Sequence, residues 1–336
     1  MSIAFDIFCG LLNIMKTILL SIIIFCGLQS SIFADDGFSP AIPRFKGCCA
    51  KRVATADTNK GVRCQVSVQR TKYHPGIRGA LTRVQSTKDK IISLSPAIAE
   101  IIYALGAGNK IVAVSDFCTY PPEVRSKPTV GGFVNPSYEK ILSLKPNLII
   151  FQGDFAKIKK FCQTYKIPEC NVQLDDWNSI TNSIQQIGNK IGNSKQAIKL
   201  RAEMVSQLNN IRKNSKNKKP IPILVCVGRE AGPVASCTTI GKKSFINEML
   251  KIAGGSNICE DVVGAYPTIS SEIIYSRQPA VIFDLRPAQK VNEEQIIKEW
   301  EFVDKKSRIF VLTNNYLMVP GPRITKIAED FREKLK

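Results

Sequence analysis

The sequence predicts an α/β fold of two lobes, each built on a parallel sheet, joined by one long α-helix. Three observations lead there. From Lys90 onward, short apolar runs alternate with segments of helical period. Between Asn178 and Asn214 the apolar residues keep a helical spacing with no proline. A segment of the first half then returns in the second at a constant offset of 133 residues. The 336 residues, 44% hydrophobic and 22% charged, fit one large or two medium domains. That composition excludes collagen-like, wholly disordered and multi-span membrane classes.

The N-terminus reads as an address. Lys16 precedes an apolar run from Thr17 to Gly27, and small residues Ser30, Ser31 and Ala34 stand ahead of Asp35-Asp36. This is the layout of a secretory signal over residues 1–34, with Met15 the better initiator than Met1. The apolar run is too short for a membrane span, and a lipid anchor at Cys26 is disfavoured because Phe25 precedes it where a small residue is expected. Residues 35–87 form a basic leader without clear periodicity, expected to be poorly ordered. Between Asp36 and Lys90 there are 12 Lys/Arg against 3 Asp/Glu.

The first lobe is expected over residues 88–177. Ile91-Ile92-Ser93-Leu94 is a short strand, and Ser95-Pro96 opens a helix that stops at Gly106-Ala107-Gly108. Lys110–Val114 and Leu148–Phe151 are further strands, the latter preceded by a helix that ends before Pro146. Ile180, Ile184, Ile187, Ile191, Ile198, Met204 and Leu208 mark the bridging helix, residues 178–214. After a polar stop from Lys213 to Pro220, the strand Ile221–Val227 opens the second lobe, residues 219–336. The repeat pairs Ser137-Tyr138-Glu139-Lys140-Ile141 and Pro146–Phe151 with Ser270-Ser271-Glu272-Ile273-Ile274 and Pro279–Asp284. Each lobe therefore carries an equivalent short helix that begins near a glutamate.

Several chemistries are ruled out. The net charge is +19, but no basic motif interleaved with aromatics supports nucleic acid as a partner. His74 is the only histidine, so a multi-imidazole metal site cannot form. No acid/base pair, nucleophile constellation or phosphate loop points to catalysis, and no cofactor is called for. An enzyme on a related two-lobed fold is the remote alternative. After signal cleavage nine cysteines remain, an odd number with no CxxC spacing. Cys162 and Cys170 are close enough in sequence to bridge, and most of the others read as small core residues.

The chain resembles the helical-backbone substrate-binding proteins of ABC importers. The residues that carry this are Lys90–Pro96 with Glu100, Tyr120-Pro121-Pro122, Gly131-Gly132 before Asn135, and Leu144–Ile149. In the second half they are Gly241–Phe245, Ala253–Asn257, Tyr266–Ser270 and Pro320-Gly321-Pro322-Arg323. The likeness is strongest to the cobalamin (vitamin B12)-binding branch, with ferric-siderophore and haem binders as near relatives. It implies two Rossmann-like lobes of the class III periplasmic type, an exported chain that is monomeric when free, and a permease dimer as partner. It also implies a cleft lined by the loops after the strands.

In the first lobe those loops carry Phe117, Tyr120, Phe133, Asn135, Gln152, Asp154, Asp176 and Trp177. In the second they carry Arg229, Glu230, Lys242, Tyr266, Arg286 and the stretch from Asn315 through Tyr316 to Met318. Aromatic faces would pack a corrinoid and polar tips would meet its amides. A haem binder would instead use Tyr120, Tyr266 or Tyr316 as axial ligand. A siderophore receptor would converge Arg229, Lys242 and Arg286 on an anionic complex. Glu139 and Glu272 match the paired glutamates that dock into the permease, and each also suits a helix start on electrostatic grounds. Arg323 has two readings, a ligand contact or a helix-start residue.

Overall fold

In the computed structural model the residues described are 89–215, 219–301, 303 and 305–336. The signal, the basic leader and His74 lie outside them. The first sheet contains β1 (Ile91–Ser93), β2 (Ile111–Val114), β3 (Leu148–Gln152) and β4 (Glu169–Val172) in the order β2-β1-β3-β4, all parallel. Parallel neighbours need long crossovers. Here α1 (Pro96–Ala104), α2 (Tyr138–Leu144) and α3 (Ala156–Thr164) supply the helical parts. β1 is buried along its whole length, the pattern of a central strand covered on both faces.

The second sheet contains β5 (Ile221–Gly228), β6 (Ser236–Thr239), β7 (Gly255–Asn257), β8 (Thr268–Ser270), β9 (Val281–Leu285) and β10 (Arg308–Leu312). β10, β9, β5 and β7 pair in parallel. That order repeats the first sheet's, strand for strand. β6 departs from the parallel pattern and runs antiparallel to β5 and β8. The seven residues between β5 and β6 allow a hairpin-like return but are too few for a parallel crossover. The remaining helices of this lobe are α6 (Phe245–Ala253), α7 (Ser271–Arg277), α8 (Glu293–Glu301) and α9 (Ile324–Lys334).

The sequence repeat is reproduced residue for residue. α2 and α7, like β3 and β9, start and stop at positions 133 apart. Even the helix ends match: Lys145 (φ 49°) and Gln278 (φ 45°) both cap in the left-handed region.

The bridging helix is not continuous. α4 (Trp177–Lys190) and α5 (Ser194–Ser215) meet at a turn over Ile191-Gly192-Asn193, where Gly192 takes φ +77°. Ile191 and Ile198 would share a face of an unbroken helix. Ile191 is buried, whereas Ile198 is 61% exposed, so the phase resets at the turn. The two helices fold against each other there, and a Cβ on Gly188 would lie 2.5 Å from the Ala197 Cβ. The turn is tied to the first lobe. Lys110 Nζ donates to the Ile191 carbonyl (2.7 Å), and Asn193 Nδ2 donates to that of Leu105 (2.9 Å). α5 has 22 residues, about 33 Å at 1.5 Å per residue. It lays Met204, Leu208 and Ile211 into the core and packs on α6 and α9 of the second lobe. The long element expected between the lobes is therefore α5, anchored at its start to one lobe and along its length to the other.

Candidate ligand cleft

In the first sheet the chain passes from β1 to β2 on one side and returns to β3 on the other. That reversal opens a crevice at the carboxyl ends of β1 and β3. Gln152, at the end of β3, accepts from Ser95 Oγ (2.8 Å), and Ser95 stands at the N-terminal boundary of α1 without capping it through its side chain. The loop after β2 carries Phe117, 57% exposed, beside Gly132. The loop Gly131–Pro136 is closed by a bridge between those two residues. Gly131 sits at φ +97°, where a Cβ would come within 3.0 Å of the Asn135 carbonyl, so a side chain is excluded twice over. This tight loop lifts Phe133 against Phe155 in an edge-on pair with centroids 4.8 Å apart. Val134 and Asn135 are exposed at its tip. Asp154 points to solvent and pairs with Lys159 (2.7 Å). Trp177, the first residue of α4, is half-buried against the main core.

The second lobe assigns its charged candidates differently. Arg229 was expected at the cleft, and the structure places its side chain inside the lobe with no exposure. Its Nε donates to Asp284 (3.0 Å), its Nη2 donates to Glu299 (2.7 Å), and the guanidinium lies 5.3 Å from the Trp300 ring centre. The cause is Asp284, a fully buried carboxylate that needs compensation. Arg229, Arg286 Nε (2.7 Å) and the Trp300 indole (2.8 Å) all donate to it. Arg286 is thus also committed inward, with 15% of its side chain exposed. Lys242 is exposed after β6. Tyr266 is half-buried, and its hydroxyl receives a hydrogen bond from Ser244 Oγ (3.3 Å). Tyr316 donates to Asp330 (2.8 Å), and burial together with that carboxylate pushes its phenol well above the usual range. Among the described residues, no group of three or more His, Cys, Asp or Glu could hold a metal ion.

Among the described residues, hydrogen bonds cross between the lobes at two places. The backbone N–H of Phe245, at the start of α6, donates to the Asp175 carbonyl just before α4 (3.0 Å). On the other side Arg323, at the start of α9, makes two hydrogen bonds to Glu100 in the middle of α1, with Nε–Oε2 at 2.9 Å. Arg323 Nη1 also donates to Asn315 (2.7 Å), and its guanidinium carbon lies 3.8 Å from the centre of the Tyr120 ring. A cavity of about 420 Å³ opens here, lined from both lobes by residues that include Glu100, Tyr103, Tyr120 and Arg323. The loops after β2 and β4 therefore meet the segments after β6 and β10. Of the two sequence readings of Arg323, the helix-start position is occupied, and its side chain reaches across to the other lobe.

Glu139 and Glu272 occupy the second position of α2 and α7, and both are exposed. The Ser137 side chain caps α2 by accepting from the Lys140 N–H. A hydrogen bond from Ser270 holds the Glu272 carboxyl below the usual range.

Sequence reasoning did not assign Phe155 or Glu100 a place in the site. Phe155 is the edge-on ring partner of Phe133 and stands only one residue beyond Asp154. Glu100 did carry a signal, as the lone carboxylate in an otherwise apolar helix. Such a group is seldom buried without a cationic partner.

A family profile described as periplasmic binding protein matches residues 91–306 of this chain. The chain is 28% identical over 260 residues to an uncharacterized ABC transporter substrate-binding lipoprotein, YvrC, of Bacillus subtilis, covering 75% of this chain and 81% of that one. Among solved structures, the periplasmic vitamin B12 binding protein BtuF of Vibrio cholerae is 26% identical. It superposes with a TM-score of 0.62 over 74% of this chain and 96% of its own. The periplasmic heme-binding protein RhuT from Roseiflexus sp. RS-1 is 24% identical, with a TM-score of 0.63 over 74% and 99% of the two chains, and this likeness speaks for the fold alone.

Proposed function

Since the chain belongs to the periplasmic binding protein family, we propose that it is an extracytoplasmic, non-catalytic receptor for cobalamin or a related corrinoid. In this reading the chain is exported by its N-terminal signal, which is cleaved after residue 34, and is monomeric when free. It holds the ligand between its lobes and delivers it to an ABC-transporter permease dimer. The vitamin B12 binding relative covers nearly its whole length in the match, which supports the corrinoid ligand.

One observation carries the choice of ligand: the commitments of the polar side chains. A siderophore receptor would need cations free to converge on an anion, yet Arg229 and Arg286 are spent on Asp284. A haem receptor would present a tyrosine oxygen to the iron, whereas the Tyr316 hydroxyl is engaged by Asp330, the Tyr266 hydroxyl by Ser244, and the Tyr120 ring face by Arg323. The loops at the strand ends are largely aromatic and amide in character, with Phe117, Tyr120, Phe133, Asn135, Gln152, Trp177, Tyr266 and Tyr316 as the assigned contacts. These suit the faces of a macrocycle and its amide arms. Lys242 and Asp154 are the remaining polar contacts in the assignment. Ferric siderophore or haem is the alternative ligand within the same family.

Glu139 and Glu272 are assigned to the permease. They sit at matched positions of duplicated helices, so they present a pseudo-symmetric pair of carboxylates to a symmetric partner. Being exposed, they would orient docking more than supply affinity. In cells carrying the cognate importer, Glu139→Ala with Glu272→Ala is expected to lower uptake about tenfold and to leave the ligand Kd within about twofold. Unchanged uptake would remove the docking assignment.

A further inference from the structure

We propose that Arg323 is a positioning residue that couples ligand capture to the arrangement of the lobes by holding the Tyr120 ring of the opposite lobe, with Glu100 as its anchor. The inference rests on the corrinoid reading for its ligand only.

Three features set this contact apart. First, it joins residues 223 positions apart and crosses the lobe boundary, and both side chains are nearly enclosed: Glu100 is 4% and Arg323 10% exposed. Opening this side of the cleft would have to part a nearly enclosed carboxylate and guanidinium that are hydrogen-bonded twice. Second, the approach is built into the backbone. Gly321 lies so near α1 that a Cβ would stand 3.3 Å from Glu100 Oε2 and 3.6 Å from the Ala97 carbonyl, and Pro320 and Pro322 stiffen the segment on either side. Third, every donor face of the guanidinium is specified. Nε and Nη2 go to Glu100, Nη1 goes to Asn315 of its own lobe, and the flat face covers Tyr120. Tyr120 belongs to the first lobe by sequence, yet its ring is placed by the second.

Burial lifts the Glu100 carboxyl above its ordinary range while Arg323 pulls it back. Such a pair is a weak source of net stability and a strong constraint on geometry. Lobe movement that keeps the pair intact must pivot about this seam, and the aromatic wall at Tyr120 then stays in place. Movement that breaks the pair releases the ring.

The test is a double-mutant cycle on the full chain with cobalamin as probe, using Arg323→Gln, Tyr120→Ala and the combination. Each single change is expected to raise Kd about tenfold. The combined change is expected to raise it no further, because Arg323 acts through the ring. Additive effects, about a hundredfold in the double variant, would overturn the proposal. Arg323→Lys keeps a cation over the ring and loses the fork, so it should recover part of the affinity, and no recovery would count against the proposal. If the wild-type chain does not bind cobalamin, the ligand reading fails, and hydrogen exchange of the unliganded chain still tests the seam. Arg323→Gln should then speed exchange in α1 and in residues 117–121 while β3 and β9 stay protected. Uniform acceleration would mean a general loss of stability and would overturn the coupling role.

Discussion

Cys226, Cys237 and Cys259 crowd one core cluster of the second lobe, and Cys118, Cys162 and Cys170 are likewise buried and unbridged. Cys162 and Cys170 pack into different core clusters, so their closeness in sequence does not become a disulfide. Burial pushes the Cys118 and Cys259 thiols up to about 11 and that of Cys162 to about 12. Since the thiolate is the nucleophile, iodoacetamide at neutral to mildly alkaline pH should label none of these six in the folded chain and all six after denaturation. Mass spectrometry reads this directly, and rapid labelling of folded Cys118 would contradict the burial described. At this scale the sequence was informative about apolar residues and poor on charged ones. Small cysteines scattered through apolar runs read correctly as core. Arg229 read as a cleft residue because its loop position was right, and only the three-dimensional neighbourhood of Asp284 turns its side chain inward.

α4 and α5 show how a strong periodic signal can carry a hidden break. Ile180, Ile184 and Ile187 fix the face of α4, and Met204 and Leu208 fix that of α5. The join between them depends on Gly188, Gly192 and Asn193, whose roles are steric for the glycines and hydrogen-bonding for the asparagine, and do not alter hydrophobic period. The break is testable through the sign of a substitution. Were the helix continuous, Gly192→Ala would stabilise it by about 1 kcal/mol. At φ +77° the same change is expected to destabilise by about 1 kcal/mol. Gly188→Ala forces a contact at 2.5 Å between two methyl carbons and should cost about 1–3 kcal/mol. Urea unfolding of the two variants separates these accounts, and a stabilised Gly192→Ala would refute the turn. The duplicated helix–strand units were legible almost in full, because α2, β3 and their copies α7, β9 are contiguous in sequence. β6 was not, since its direction follows from the short return after β5 and leaves no trace in its own residues.

Among the described residues, two lobes of like topology are joined through α5 and by hydrogen bonds at two places, and the candidate site lies where those contacts approach the strand ends. The positions of the loops at these strand ends could be read from the sequence because each follows a strand. The pairing of Glu100 with Arg323 could not, because it spans 223 positions and no local pattern links them. The most direct test of corrinoid selection by this arrangement is equilibrium calorimetry of the chain from Asp35 with cobalamin, haem and two ferric siderophores. Tight one-to-one binding of cobalamin and no binding of the others is expected. Haem or a ferric siderophore bound, with no heat from cobalamin, would contradict it.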